Sequence, residues 1–195
     1  MDLGKEELLD AVLSVGNEAI ARYLEIAGDA HVWDTPEFWL QSEIANALAK
    51  AHFVRLEHRV SDTLHYASDG VSDSPEREVE RQTGRVDIAL YEKVPNPNDA
   101  SLNAIIEVKK IVNDWCLNAD AARILAISKS CGDHVRGIVG GLYFAKSQDQ
   151  MNALFHEITN RLREIQVSPS MLIKASPATV DARGFHSGFV AAQIC

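Results

Sequence analysis

Arg85-Val86-Asp87-Ile88-Ala89-Leu90-Tyr91 and Ala104-Ile105-Ile106-Glu107-Val108-Lys109-Lys110 decide how this chain is read. Both runs are rich in apolar and β-branched residues, so both predict strands. Each carries charge within its apolar stretch, and such charge is costly unless it is paired or bound to an ion. Between them Val94-Pro95-Asn96-Pro97-Asn98-Asp99-Ala100-Ser101 gathers turn formers and breakers. A hairpin with a longish loop is the simplest connection. Centred near Pro97, it sets Asp87 opposite Glu107, with the register open by a residue or two. Strand alternation then puts Glu107 and Lys109 on one face and Lys110 on the other. Two facing carboxylates repel each other. A bound divalent cation turns that repulsion into binding, and hard cations such as Mg²⁺ favour carboxylate oxygens, waters and phosphate.

This arrangement resembles the PD-(D/E)XK nuclease superfamily, whose members share the restriction-endonuclease-like fold. The likeness is carried by Asp87 and, after a spacer of nineteen residues, Glu107-Val108-Lys109. Val86 stands where the namesake proline would be, a departure that members often show. The resemblance covers somewhat over half of the chain, from about Thr35 to Ala145. It implies an α/β fold with a central mixed sheet flanked by helices, in the order helix, β-meander, helix, strand. It further implies Mg²⁺-dependent hydrolysis of DNA phosphodiester bonds, with Mn²⁺ as a substitute ion. Asp87, Glu107 and the carbonyl of Val108 would hold the metal, and Lys109 would be catalytic. Such nucleases often add a glutamate from an upstream helix. Glu43, in Phe38-Trp39-Leu40-Gln41-Ser42-Glu43-Ile44-Ala45, fits that place, with Glu37 and Glu57 as alternatives. Small members are often dimers, so the resemblance also implies a homodimer.

Phosphodiester hydrolysis needs an activated water, stabilised phosphorus oxygens and a provided-for leaving oxygen. Lys109 would orient the water and stabilise the phosphate. A lysine beside a cation cluster could also have a lowered pKa and serve as base. The plainer reading makes Asp87 and Glu107 an exposed strand face with Lys109 as a cross-strand partner. For any one residue alone that reading is the better one; the joint pattern reverses the preference. Arg85 shares the face of Asp87 and is a candidate phosphate contact. Asp120 and Arg123, on the helix after the motif, could reach the site or a phosphate, but a helix salt bridge at three-residue spacing is the plainer account.

A chain of 195 residues suits one domain. Its expected parts are an N-terminal helical extension (1–34), the motif-bearing core (35–145) and a C-terminal helix with strands (146–195). No apolar run reaches membrane-spanning length and the N-terminus is acidic, so a cytoplasmic protein with no membrane partner is expected. Cys116, Cys131 and Cys195 lack metal spacing and read as reduced thiols. The seven histidines show no zinc spacing.

Net charge is −9, which opposes strong sequence-independent DNA binding. The excess is uneven. Residues 1–100 hold 9 Lys/Arg against 20 Asp/Glu, whereas residues 101–146 hold 6 against 4. The alternative function is therefore a non-catalytic scaffold that keeps the nuclease fold and binds nucleic acid or protein. A related alternative is a subunit of a larger defence or repair system, with a partner protein supplying specificity.

Along the chain, Lys5 to Ala27 predicts a helix stopped by Gly28. Thr35-Pro36 predicts the start of a second helix running to about His52, with Thr35 as N-cap. Phe53–Val60 predicts a strand. A loop follows over 62–75, then a charged stretch over 76–82. A helix is expected from Asp114 or Asn118 to Ser130, a buried strand from Val135 to Ala145, and a helix from Gln148 to Ile165. Met171–Ile173 and Phe189–Ala192 suggest one or two more strands.

Overall fold

The computed structural model describes residues 5–28, 31–62, 84–96, 99–110, 116–132, 134–164 and 171–194. The two runs that open the sequence reading form β2 (Arg85–Tyr91) and β3 (Leu102–Lys109). They pair antiparallel through Ile88↔Ile106, Ala89↔Ile105 and Leu90↔Ala104. Continued by one step, that register places Asp87 opposite Glu107, as a hairpin centred near Pro97 requires. A register shift at Leu90/Tyr91 absorbs the loop end, so Tyr91 faces Leu102. The expected loop over 62–75, from residue 63 on, and the charged stretch over 76–82 lie outside the described residues, as do Trp115 and Cys195.

Among the described residues the sheet has seven strands. β1 (Phe53–Arg59) flanks β2 antiparallel, and β4 (Arg136–Ala145) flanks β3 in parallel. A parallel neighbour needs a crossover, and helix α3 (Cys116–Cys131) lies in that connection. β7 (His186–Gln193) runs antiparallel beside β4. Its far side takes β5 (Leu172–Ala175) and the two-residue β6 (Thr179–Val180). The tail thus supplies three strands rather than one or two, and β7 is an interior strand.

Helices cover both faces. α1 (Lys5–Ala27) and α2 (Glu37–Leu48) pack on Ile88, Leu90, Ala104, Ile106, Val108, Ile138, Leu142 and Phe189. α3 and α4 (Gln148–Glu164) pack on Ala89, Tyr91, Ile105, Val139, Tyr143 and Val190. Coverage on both sides explains why β2 and β3 read as continuous apolar runs rather than alternating ones. Their remaining polar residues are therefore conspicuous.

α1 is not an appendage. Leu8, Leu9, Val12, Ala19 and Ile20 are buried in the same cluster as the sheet. Trp39 of α2 donates its indole N–H to the Ala19 carbonyl at 2.9 Å, which fixes α2 against α1. Gly28, at φ 70°, takes the left-handed conformation that stops α1. The start of α2 differs from expectation: Pro36 is the N-cap, and the Thr35 hydroxyl donates back to the Val32 carbonyl at 2.8 Å. Thr35 thereby closes a short 3-10 turn at Val32–Asp34 instead of capping the helix. Among the described residues no helix is long and apolar enough to cross a membrane.

Phe189 is fully buried and wedged between α1 and β4. A Cβ on Gly16 would lie 2.6 Å from the Phe189 ring, and one on Gly140 would lie 2.8 Å from it. Gly16→Ala should gain about 1 kcal/mol of helix propensity. Forcing a methyl onto a fixed aromatic ring should cost about 1–3 kcal/mol. The expected outcome is a lower urea midpoint, partly restored by adding Phe189→Leu; a higher midpoint for Gly16→Ala alone would contradict this packing.

Candidate functional site

β2 and β3 part company at the motif. Their ladder is regular as far as Ile88↔Ile106. Beyond it, β2 stays with β1 as far as Arg59↔Arg85, while β3 stays with β4 as far as Lys109↔Gly141. The amide of Val108 is left without its strand neighbour, and the Asp87 carboxylate accepts its N–H at 2.7 Å. An aspartate thus replaces a backbone carbonyl as the rung where two strands diverge.

Glu107 and Lys109 line the same gap. Lys109 Nζ lies 3.3 Å from Glu107 Oε1 and 3.3 Å from Asp120 Oδ2. Arg123 Nη1 lies 3.4 Å from Glu107 Oε1, and its Nη2 donates to the Arg85 carbonyl. Asp120 and Arg123 sit one helical turn apart on α3, so both reach the motif. Of the two readings open to them, reach into the site is what the structure shows, rather than the plainer helix pair. Arg85 itself is exposed at the start of β2.

Asp87 and Glu107 are not an exposed strand face; they retain 7% and 3% of their accessible surface. Burial pushes the Asp87 carboxyl up to about 6, against the lowering effect of the Val108 hydrogen bond and Lys109. Glu37 and Glu57 add to the rise. Burial, and then the neighbouring Asp87 charge, push Glu107 up to about 7 despite Lys109 and Arg123. Burial acts to lower the pKa of Lys109, but Glu107, Asp120, Asp87 and Glu37 outweigh it and hold it above the ordinary lysine value. Without a bound cation, these carboxylates hold the Lys109 ammonium charged. The ammonium is a fixed positive charge.

Of the two helical acids, Glu37 and not Glu43 contacts the end of β3. Glu43 is bound by Arg22 of α1 at 2.7 Å and has no interaction with the motif. Glu37 is the helical acid at the site: its Oε2 accepts the Lys110 N–H at 2.9 Å, just past the end of β3. The reason is where α2 begins. The helix opens at Glu37, beside the motif, and Glu43 lies roughly 9 Å further along the axis, turned roughly 120° away. A glutamate directly after Pro36 at a helix start was the available signal. Trp39 packs on α1 and α2, as expected for a core residue.

Among the described residues no three His, Cys, Asp or Glu side chains gather at metal-holding distance. The donor chemistry nevertheless fits a hard divalent ion, which needs only one or two carboxylates when it keeps its waters. Glu107 Oε1 takes both cations, while Glu107 Oε2 is buried with no hydrogen-bond partner among the described residues. A buried acceptor left unmade costs roughly 1–3 kcal/mol. It lies beside a second buried carboxylate. Comparison with protein-family models, with curated proteins and with solved structures gives no match to this chain.

The raised pKa values fix a pH dependence for the metal-free protein. Between the unfolded carboxyl values near ~4 and the folded values, the native state binds more protons than the unfolded one. Stability therefore falls as pH rises through that window. Thermal melts in EDTA should show a declining contribution from about pH 4 to about pH 7. The slope should flatten in Asp87→Asn and Glu107→Gln; an unchanged slope in both would show that these groups are not perturbed as described.

Proposed function

We propose that this protein is a divalent-metal-dependent nuclease that hydrolyses DNA phosphodiester bonds. The observation that carries the reading is the unpartnered, buried Glu107 Oε2 beside Asp87, with the Lys109 ammonium in the same gap. The order of elements supports it: a helix, the meander β1–β2–β3, the crossover helix α3, then β4 parallel to β3. That is the order expected of the restriction-endonuclease-like fold.

Asp87, Glu107 and the Val108 carbonyl would hold the ion, here Mg²⁺ with Mn²⁺ as a substitute. Bound there, a divalent ion lowers the pKa of water and offsets charge on the phosphate oxygens. The chain's own groups do the rest. Asp87 is oriented by the Val108 amide. Lys109, braced between Glu107 and Asp120, supplies a fixed positive charge that orients the attacking water and stabilises the phosphate. Arg123 holds Glu107 to the β2 backbone at Arg85. Glu37 fixes the chain just after Lys109 through the Lys110 amide.

A second reading is a scaffold without catalysis. It is favoured by the fact that Glu107 already pairs with both Lys109 and Arg123, a closed ion network needing no metal. The acidic balance of the chain also suits a partner protein or a second copy that helps hold DNA.

Cleavage of plasmid and oligonucleotide DNA in Mg²⁺ or Mn²⁺ tests the first reading. Asp87→Ala, Glu107→Ala and Lys109→Ala should each lose at least ~100-fold in rate while keeping the native circular dichroism. Glu43→Gln should stay close to the parent rate, and Glu37→Gln should fall below it. Full activity in the three motif variants sinks the nuclease reading. Calorimetric titration with Mn²⁺ separates the alternatives: uptake that depends on Asp87 and Glu107 supports the metal centre, and its absence supports the scaffold.

A further inference from the structure

A groove of about 320 Å³ lies between the C-terminal end of α1 and the turn that follows β6. Ala21 and Leu24 line it from α1, and Val180, Asp181, Ala182 and Arg183 line it from the other wall. None of these residues belongs to the motif around Asp87 and Glu107. The volume suits a small organic molecule. Most of the lining side chains are apolar, so the polar ones decide what such a molecule must carry.

Asp181 is the more informative of them. Its Oδ1 accepts the N–H of Arg183 and the N–H of Phe185, each at 2.9 Å. Its own N–H donates to the Phe185 carbonyl at 2.9 Å, and its carbonyl accepts the Gly184 N–H at 3.0 Å. Gly184, at φ 84°, permits so tight a turn. The carboxylate is therefore held in one orientation. Its second oxygen, Oδ2, is buried and has no hydrogen-bond partner among the described residues. A buried carboxylate oxygen without a donor is costly, and a ligand N–H would remove that cost. Arg183 does not supply the donor: its guanidinium lies against the His31 ring, which stacks on Trp33 at 3.8 Å.

The opposite wall carries the same sign of charge. α1 ends at this groove, where Gly28 is part of the lining. The last carbonyls of a helix lack partners within it and together amount to roughly half a negative charge. Cationic side chains often offset that charge, but the last turn of α1 has none and contains Glu25. A fixed carboxylate and an uncompensated helix end thus meet across apolar walls.

We propose that this groove binds a small organic ammonium ion, its charged head donating to Asp181 Oδ2 and its hydrocarbon body lying between Leu24 and Val180. One carboxylate is too few for a bare metal ion that needs several oxygens, whereas an ammonium needs only a single acceptor of this kind beside apolar surface. The site is independent of the nuclease reading, and either can fail without the other.

Hexylammonium chloride is the probe, titrated in EDTA at neutral pH and followed by ¹H–¹⁵N spectra of the full chain. The amides of Asp181, Arg183 and Phe185 should shift saturably. Hexan-1-ol and hexanoate should bind at least ~10-fold more weakly, a difference of about 1.4 kcal/mol. Asp181→Asn keeps an acceptor for the Arg183 and Phe185 amides but loses the charge, and should bind hexylammonium no better than the alcohol. Ala21→Leu, at an exposed helix position, should crowd the groove and weaken the amine and the alcohol alike; it serves if the asparagine variant folds poorly. Absence of saturable shifts, equal affinity for amine and alcohol in the parent, or hexylammonium affinity unchanged in a folded variant would each overturn the site.

Discussion

The hydrogen bond from the Val108 amide to the Asp87 carboxylate, at 2.7 Å, is the contact on which the site depends. It forms where β2 follows β1 and β3 follows β4, so two halves of one sheet pull apart. A gap opened in the middle of a sheet strands backbone donors, and a stranded buried donor is expensive. Asp87 removes that cost and is itself trapped by the bond. Its charge is then committed to a place that burial makes unfavourable, and Glu107 is trapped beside it. Lys109 and Arg123 answer for one oxygen of Glu107 and leave the other open. Strand divergence and carboxylate placement are consequences of one geometric decision.

Much of this could be read from residues alone, because its determinants are local. The position of Pro97 between the two apolar runs set the β2–β3 register, and strand alternation placed Lys109 with Glu107. The ends of α1 and α4 followed from periodicity and from the glycine at 28. What stayed hidden depends on contacts remote in sequence. The choice of Glu37 over Glu43 turns on how α2 docks, which Trp39 and Arg22 decide from across the α1 interface. Asp120 and Arg123 look like a surface pair until the crossover swings α3 over the gap. Thr35 and Pro36 are a good helix start by type. A hydrogen bond back to Val32 moves the start by a residue.

The charge distribution bears on what such a centre could do. Glu57 on β1 and Asp87 on β2 belong to the part of the chain that carries 20 Asp/Glu against 9 Lys/Arg. The mildly basic portion, residues 101–146, supplies β3, α3 and β4. A polyanion approaching the gap would be repelled from one side and tolerated from the other. Any positive charge brought to the acidic side would shift that balance through simple electrostatics.

The position of β7 has a bearing on how the chain reaches this state. β7 lies between β4 and β5, and its Phe189 fills the contact between α1 and β4 left by two glycines. β4 also holds β3 in place on the far side of the gap. Until β7 has been made and docked, β4 is an open edge, and the helix that opens the chain has nothing to close upon at Gly16. The residues of the centre are all synthesised before the strand that makes their scaffold rigid. A half-made chain would carry the motif without its geometry, and its exposed β4 edge would be a place for other strands to add.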